Sequence, residues 1–587
     1  MKRLFLICAL AFVLSLCAAQ GINSFRYLST SGGLDDEIEF VYDPLDLYYF
    51  NGLKFYSALN NFGGNDRLLD ESGGNYLLLG AATDKAWHKN LKLAALWSCT
   101  DDKTPLEFSC YPSPYDEYPT SEWGEAEFDW QSYYDSNENG LYDHYRHLWQ
   151  KFENYDRDKG KSAWLVFNYA PSPQFILGDK IGFSRSWGDD TFARNSVLDY
   201  GLGDPSFESF DEAYDLDEMD PGTPFHHIET EEEGDFGSEY LDCVFHNELG
   251  FMRTGGAWEY SGRWQINFLR NREATLDRAW LAERDYYEEP VDGADFYEYT
   301  EEESWDYESL EKGVYNQLSA RLRRFLVPDP DLRRAGYWSF GLGLGMRNLT
   351  SSYNEDYLYE ESDPDYEDQS IMGTLLEEGN ILGFTFNTHL RLNYPLNQHT
   401  ILGTGLYYNW KNNKLTGDYD YLYTEENLTY NTGGDKADWV HKRTESAHSA
   451  GDTEQQYNYR TFKVPVGLEY WFSASRKWAM RVGSVFTWSA GASNESYTPT
   501  LIEPTMVTDV DFDDQANPEV TIEDNTYMVE SHGYKYSSSS TSFSYGLCYK
   551  ASEQLQIELL YMFATSDLSL WNTNFFRQLR FAFTVGF

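Results

Sequence analysis

The stretch "LRFAFTVGF" at residues 579–587 decides the fold, because it places an apolar residue at every second position. One side of the extended chain carries Leu579, Phe581, Phe583, Val585 and Phe587, and the other carries Arg580, Ala582, Thr584 and Gly586. A period of two predicts a β-strand with one apolar face. The whole chain, however, has a mean hydropathy of −0.60 and a formal net charge of −51. The apolar face of this strand therefore needs an environment that the average composition does not suggest.

The same alternation recurs along the chain and predicts sixteen strands. They cover residues 48–58, 75–82, 91–98, 162–169, 174–184, 241–253, 258–270, 314–327, 335–348, 380–394, 399–413, 457–473, 477–490, 535–550, 554–565 and 575–587. A tilted strand that crosses a bilayer needs about 9–11 residues, apolar toward lipid and polar toward a lumen. Strands in water-soluble sheets average only about 5–6 residues. The first three strands are weakly patterned, so fourteen is the alternative count.

The connections between these strands alternate between short and long. Short turns fall near residues 170–174, 253–257, 327–335, 394–399, 473–477 and 550–554. Long acidic segments fall at about 98–161, 185–240, 271–313, 349–379, 414–456 and 490–534. Outer-membrane barrels have short periplasmic turns and longer outer loops. We therefore predict an all-β fold, a transmembrane antiparallel up-and-down β-barrel of about sixteen strands with long acidic outer loops.

The opening "MKRLFLICALAFVLSLCAAQ" (1–20) reads as an export signal, with a basic start, an apolar run and small residues before a cleavage point. This end and the terminal strand together make the chain resemble a Gram-negative, porin-like outer-membrane β-barrel. In that superfamily the last strand typically ends in Phe after alternating apolar residues. The resemblance implies that Phe581, Phe583, Val585 and Phe587 form the signal read by the barrel-insertion machinery. It also implies outer-membrane lipid as a partner and the cell outer membrane as the location.

The expected organisation is a signal peptide at 1–19, an N-terminal periplasmic segment at 20–47, and the barrel at 48–587. The segment between the cleavage point and the first strand is too short for a plug domain of the usual size. Loss of the signal would move the formal net charge from −51 to −53, a field that repels nucleic acid. Cys99 and Cys110 are close in sequence and either pair or remain free thiols.

One acidic loop carries a possible metal motif. In "DSNENGLYD" the oxygen-bearing residues Asp135, Asn137, Asn139 and Asp143 surround Gly140, which resembles a calcium loop. The acidic residue that would close the longer form of this loop is absent, so an ordinary Asn-Gly turn is the alternative. The pair His226–His227 lies beside a Glu-rich stretch but lacks fixed spacing to other ligands. Calcium is therefore the one cofactor that the sequence suggests.

Function is less constrained than fold. The side chains expected to line the lumen are His389, Arg391, Lys463, Glu469, Arg481 and Glu558. We predict a passive channel for small cationic or neutral solutes, since a sixteen-stranded barrel is wide enough for an aqueous pore. The alternative is a structural or surface-binding barrel, whose loops close the mouth and contact a partner or surface glycan without transport. No nucleophile is placed beside His389, so we expect no enzymatic activity.

Overall fold

The computed structural model describes residues 26, 29–34, 40–60, 75–84, 90–110, 119–134, 144–202, 226–289, 293–326, 336–362, 367–430, 439–472, 476–511, 518–523, 532–552, 554–564 and 580–587. A 3-10 turn, Pro44–Tyr49, precedes the first strand. Asp43 caps that turn, because its carboxylate accepts a hydrogen bond from the Leu45 amide. No helix in these ranges combines the length and the apolar character that a membrane crossing requires.

The strands within the described ranges are β1 (Leu53–Asn60), β2 (Asn75–Thr83), β3 (Leu91–Pro105), β4 (Glu107–Cys110), β5 (Thr120–Trp123), β6 (Glu125–Tyr134), β7 (His144–Ser172), β8 (Phe175–Leu202), β9 (His226–Gly255), β10 (Trp258–Glu289), β11 (Gly293–Phe325), β12 (Tyr337–Ser362), β13 (Glu367–Pro395), β14 (Thr400–Tyr430), β15 (Trp439–Trp471), β16 (Trp478–Ile502), β17 (Thr505–Asp511), β18 (Glu519–Glu523), β19 (Gly533–Lys550), β20 (Leu555–Ala564) and β21 (Arg580–Gly586).

Strand pairing closes one sheet into a barrel. The main sheet has nineteen strands, and β21 pairs with β1 as well as with β20. Three of the nineteen lie outside the ring: β6 pairs with the outer part of β7, β17 pairs with the outer part of β15, and β18 pairs with β17. The remaining sixteen form an antiparallel up-and-down ring. The predicted fold class and strand number are therefore confirmed.

An apolar belt surrounds the barrel next to the short turns. Its exposed side chains include Phe245, Phe251, Tyr260, Trp264, Phe268, Phe340, Leu344, Leu382, Leu390, Val466, Phe472, Trp478 and Phe486. On β10 the belt runs from Trp258 to Phe268, and ten residue steps at about 3.4 Å each, tilted by about 40°, give a height of about 26 Å. That height matches the apolar band of a transmembrane barrel, about 25 Å.

The wall continues far beyond this belt, and here the structure differs from the sequence-based expectation. Strands β9 to β15 have 26 to 33 residues each. Most of the described residues in the segments expected to be long loops are paired strand instead. On β10 about twenty residues lie past Phe268, which at about 3.3 Å per residue extends the wall by about 65 Å along the strand. We call the space inside this extension the upper lumen.

Candidate functional site

The N-terminal residues 26, 29–34 and 40–50 lie inside the ring, at its short-turn end; we call them the strap. Wall side chains donate hydrogen bonds to the strap's backbone carbonyls from several directions. Lys180 Nζ reaches Val41 O at 3.0 Å, and Arg263 Nη1 reaches Tyr42 O at 3.0 Å. On another side of the ring, Arg391 Nη2 reaches Gly32 O at 3.4 Å. The bond to Val41 O is buried, where a backbone acceptor without a donor would be costly, and the other two bonds attach the strap to further sides of the ring.

Apolar packing anchors the second half of the strap. Phe40, Val41, Leu47 and Phe50 form one buried cluster with the inner faces of strands β1, β2, β3, β7, β20 and β21. The wall contributes Tyr56, Ala58, Leu78, Ala82, Ala94, Leu96, Val166, Leu560 and Ala582 to this cluster. These inner faces are apolar, as the outer faces are, so the first three strands lack a clear alternation. The weak alternation of apolar and polar residues in β1 to β3 arises because their inner faces pack against the apolar strap rather than water.

Glycines in the wall let the first half of the strap approach the sheet closely. A Cβ atom added at Gly467 would stand 2.5 Å from the Cβ of Thr30. A Cβ atom at Gly403 or Gly483 would collide with the backbone of Gly33 or Thr30. No side chain fits at these three wall positions while the strap is in place. The wall is therefore shaped to receive the strap.

A buried ion-pair network holds the acidic residues of the strap. Asp43 lies 2.7 Å from Arg321, and Asp46 lies 3.2 Å from both Arg321 and Arg323. The wall adds further ion pairs to the same network: Arg323–Glu259 at 3.3 Å, Arg263–Glu248 at 2.9 Å and Lys180–Glu248 at 2.6 Å. Within this network the wall supplies four basic and two acidic groups, and the strap supplies the two carboxylates that balance them.

The second network has the opposite sign and contains three of the predicted lumen residues. Arg26 of the strap lies 2.7 Å from Glu469, which also pairs with Arg481 at 2.8 Å. Arg481 pairs in turn with Glu558. Glu469, Arg481 and Glu558 are 1%, 3% and 5% exposed, so they face the lumen but lie under the strap. Here the wall has one excess negative charge, and Arg26 neutralises it.

The other three predicted lumen residues also point inward. Arg391 contacts the strap, and His389 stacks on Tyr407 with ring centroids 5.7 Å apart. His389 occupies the space that a side chain at Gly341 would need. Lys463 is exposed and shares the inner face of β15 with Glu469. A role for these six residues in lining a conducting pore stays a prediction.

The predicted insertion signal lies where the ring closes. Phe581, Phe583 and Val585 are on the outer face of β21, opposite Leu59, Ser57 and Phe55 of β1. Phe587 is exposed and meets Phe55 edge-on, with ring centroids 5.7 Å apart. The structure places all four residues on the apolar exterior, and their reading by the insertion machinery stays a prediction.

Several other predictions fall partly or wholly outside the described residues. The possible calcium loop with Asp135, Asn137, Asn139 and Asp143 lies outside them, and so do the side chains of His226 and His227. Among the residues that are described, no three metal-ligating side chains come together. Cys99 on β3 and Cys110 on β4 are not joined by a disulfide.

The upper lumen has an inner wall of tyrosine and glutamate that we did not predict. Five tyrosine hydroxyl groups among the described residues donate to a glutamate two positions away, at 2.6 to 3.1 Å. The pairs are Tyr299–Glu301, Tyr353–Glu355, Tyr359–Glu361, Tyr423–Glu425 and Tyr497–Glu495. Burial, followed by the neighbouring Glu355 carboxylate, raises the pKa of Tyr353. Tyr353 therefore stays protonated as a hydrogen-bond donor.

The upper lumen contains a cavity of about 1200 Å³, which we call the chamber. Its lining includes Tyr353, Tyr357, Tyr421, Tyr423, Tyr457, Tyr497, Glu311, Glu355, Glu377, Glu495, Arg347, Lys411 and Gln455. The signal for this surface was present in the sequence as repeated Tyr-x-Glu spacing, which puts both side chains on one face of a strand.

Comparisons with known proteins identify no family. No protein-family model matches the chain, and no curated protein matches it. Among solved structures, a variant of the ferric enterobactin receptor PfeA from Pseudomonas aeruginosa is 9% identical, with 92% of this chain and 80% of that chain covered and a TM-score of 0.26. The copper transporter OprC is 8% identical, with coverage of 91% and 80% and a TM-score of 0.24. The siderophore receptor PirA from Acinetobacter baumannii is 9% identical, with coverage of 92% and 81% and a TM-score of 0.21. These TM-scores are too low to assign a function. The architecture of an outer-membrane β-barrel rests instead on the chain's own strand pairing and apolar belt.

Proposed function

We propose that this protein resides in the outer membrane as a barrel for the passage of small cationic or neutral solutes, and that the strap closes it in its resting state. The ring and belt support the membrane location, since a closed barrel leaves no sheet edge unpaired in lipid. The lumen of a sixteen-stranded barrel is wide enough for an aqueous channel. The strap occupies that lumen at the level of the belt. The proposal assigns no enzymatic reaction to the chain.

The charge match between strap and wall carries the proposal. Two networks of opposite excess charge lie on the wall, and the strap presents carboxylates to the basic one and Arg26 to the acidic one. Removing one member of a buried ion pair costs about 3–5 kcal/mol, because its partner is left uncompensated. A substitution that removes one member of these pairs should therefore weaken the seating of the strap, and passage requires a change that releases it.

A reversible crosslink tests this closure. The hydroxyl oxygens of Ser31 in the strap and Ser544 on β19 are 2.7 Å apart. We expect the double variant Ser31→Cys/Ser544→Cys to form a disulfide under oxidising conditions and to hold the strap in place. In planar bilayers the oxidised protein should show fewer openings than wild type, and reduction should restore them.

Each single cysteine variant, recorded with and without reductant, is the matched control for the free thiols already in the chain. An oxidised double variant that conducts as freely as wild type would show that the strap does not obstruct the pathway.

The second candidate function is a surface-binding barrel without transport. The observation that favours it is the depth of the strap's seat, with Leu45, Leu47 and Phe40 all 0% exposed. In that case wild type would show no openings under any condition, and reduction of the crosslinked variant would change nothing. The same recordings therefore separate the two functions.

A further inference from the structure

The chamber has more negative than positive charge. Its lining has four carboxylates, those of Glu311, Glu355, Glu377 and Glu495, against the two basic groups of Arg347 and Lys411. Most of the remaining lining is tyrosine or uncharged polar side chains. The two networks at the strap are balanced, so this excess is a property of the chamber rather than of the whole interior.

One of these carboxylates is buried and incompletely paired. Glu377 is 5% exposed, and its Oε2 accepts a hydrogen bond from Gln455 Nε2 at 3.1 Å. Its Oε1 is buried with no hydrogen-bond partner among the described residues. The hydroxyl groups of Tyr497 and Thr453 lie beside this carboxylate and offset part of the cost of its burial, but Oε1 still lacks a hydrogen bond of full geometry. A buried carboxylate oxygen without a donor is costly, and a bound donor would remove that cost.

A second carboxylate lies beside the first. The same Gln455 nitrogen donates to Glu495 Oε1 at 2.6 Å, so the two carboxylates share one amide group. Tyr497 donates to that same oxygen of Glu495 at 2.6 Å, and its ring meets Tyr419 edge-on at 5.2 Å. Burial first, and then the negative charges of Glu495 and Glu355, raise the pKa of Glu377. Both carboxylates would be stabilised by a positive charge placed between them.

We propose that the chamber binds a small organic cation, a primary amine or guanidinium compound, with Glu377 and Glu495 as counter-ions and tyrosine rings as the surrounding surface. Ammonium and guanidinium groups donate several hydrogen bonds and are attracted to the faces of aromatic rings. A cavity of about 1200 Å³ exceeds what a single metal ion fills and suits an elongated oligoamine. The binding site is argued from the chamber alone. The inference rests on the proposed function only in assuming that the cation enters the chamber from outside the cell.

Binding of spermidine to the purified full-length protein in detergent tests the site. We expect measurable binding by isothermal titration calorimetry at low salt, and a loss of about tenfold in affinity for Glu377→Gln and for Glu495→Gln. Glutamine has the same shape as glutamate, so both variants should keep the barrel intact. The matched control is Glu378→Gln, because Glu378 is the next residue on β13 but is exposed on the outer face.

Three outcomes would overturn the inference: an equal loss for Glu378→Gln, binding of calcium that spermidine cannot displace, or equally tight binding of an uncharged sugar. An equal loss for Glu378→Gln would show that spermidine binds through general attraction to an acidic protein and not at Glu377 and Glu495. Because the titration involves no membrane, it separates the site from transport. Binding without conductance would remove the proposed passage and keep the site, whereas conductance without binding would do the reverse.

The affinity should also depend on pH in a defined direction. The groups that face Glu377 are Glu355, Glu495 and Tyr497, and its raised pKa means that it gains a proton at a higher pH than an ordinary glutamate. Spermidine binding should therefore weaken as the pH falls through that raised pKa. The slope should be smaller in Glu377→Gln, which has no proton to gain at this position.

Discussion

Neutralising one strap carboxylate should release the strap without damaging the barrel. Asp46 is 5% exposed and contacts Arg321 and Arg323, each at 3.2 Å. The variant Asp46→Asn keeps the shape of the side chain and removes its charge. Arg321 then retains Asp43, and Arg323 retains Glu259. Each arginine therefore loses one of two carboxylates rather than its only one.

The magnitude follows from these remaining partners. Removing one member of a buried ion pair costs about 3–5 kcal/mol. Because both arginines keep a second carboxylate, we take the lower limit, about 3 kcal/mol. At about 1.4 kcal/mol per factor of ten, the population of barrels with a released strap should rise about 100-fold. The free energy of strap binding changes rather than the stability of the barrel, because the substitution leaves all strand pairing of the wall in place.

Planar bilayer recording measures this change as open probability, and the yield of the Ser31–Ser544 crosslink measures strap release directly. Both should move in Asp46→Asn, with more openings and less crosslinking. Asp418→Asn is the control, because Asp418 is exposed on the outer face of β14. An unchanged crosslink yield in Asp46→Asn would refute the reasoning from buried charge, and so would an equal response in the control.

Two further predictions concern the outer and inner faces of the wall. Phe583→Asp should lower the amount of protein in the outer-membrane fraction, because a charge facing lipid costs up to a few kcal/mol. The control Thr584→Asp, on the opposite face of β21, should be tolerated far better. Equal loss in both variants would contradict an outer-face effect. Gly250→Leu should displace the strap and raise open probability, because even a Cβ atom there would stand 3.1 Å from the side chain of Leu45; unchanged recordings would show that this contact does not hold the strap.

The strands were predictable because their signal is local. Alternation such as that of residues 579–587 needs only neighbouring residues to be recognised, and each of the sixteen segments found in this way overlaps a strand of the ring. The upper wall was harder to predict because acidic runs resemble solvated loops. Tyr353 and Glu355 show the signal that was missed. They are polar residues two positions apart, so both side chains lie on the face of the strand that points into the lumen.

The strap was not predictable, because its partners are distant in sequence. Nothing near Asp43 indicates that Arg321 neutralises it, and Arg26 meets Glu469 across 443 positions. The weak patterning of β1 to β3 was the available sign, since apolar residues on both faces require apolar neighbours on both sides. Recognising it requires knowing that the barrel interior is filled at that level.

The distance between the strap and its partners also has a consequence for assembly. Ser31 meets Ser544 across 513 positions, and Phe40 and Phe50 pack against strands β20 and β21 as well as β1. Contacts of such long sequence separation form slowly, because a large loop must close before they contribute any energy. The strap therefore obtains its complete seat only after the last hairpin has joined the first strand. Docking of the strap thus reports that the ring is complete, and a barrel stalled before closure retains unneutralised arginines that distinguish it from a finished one.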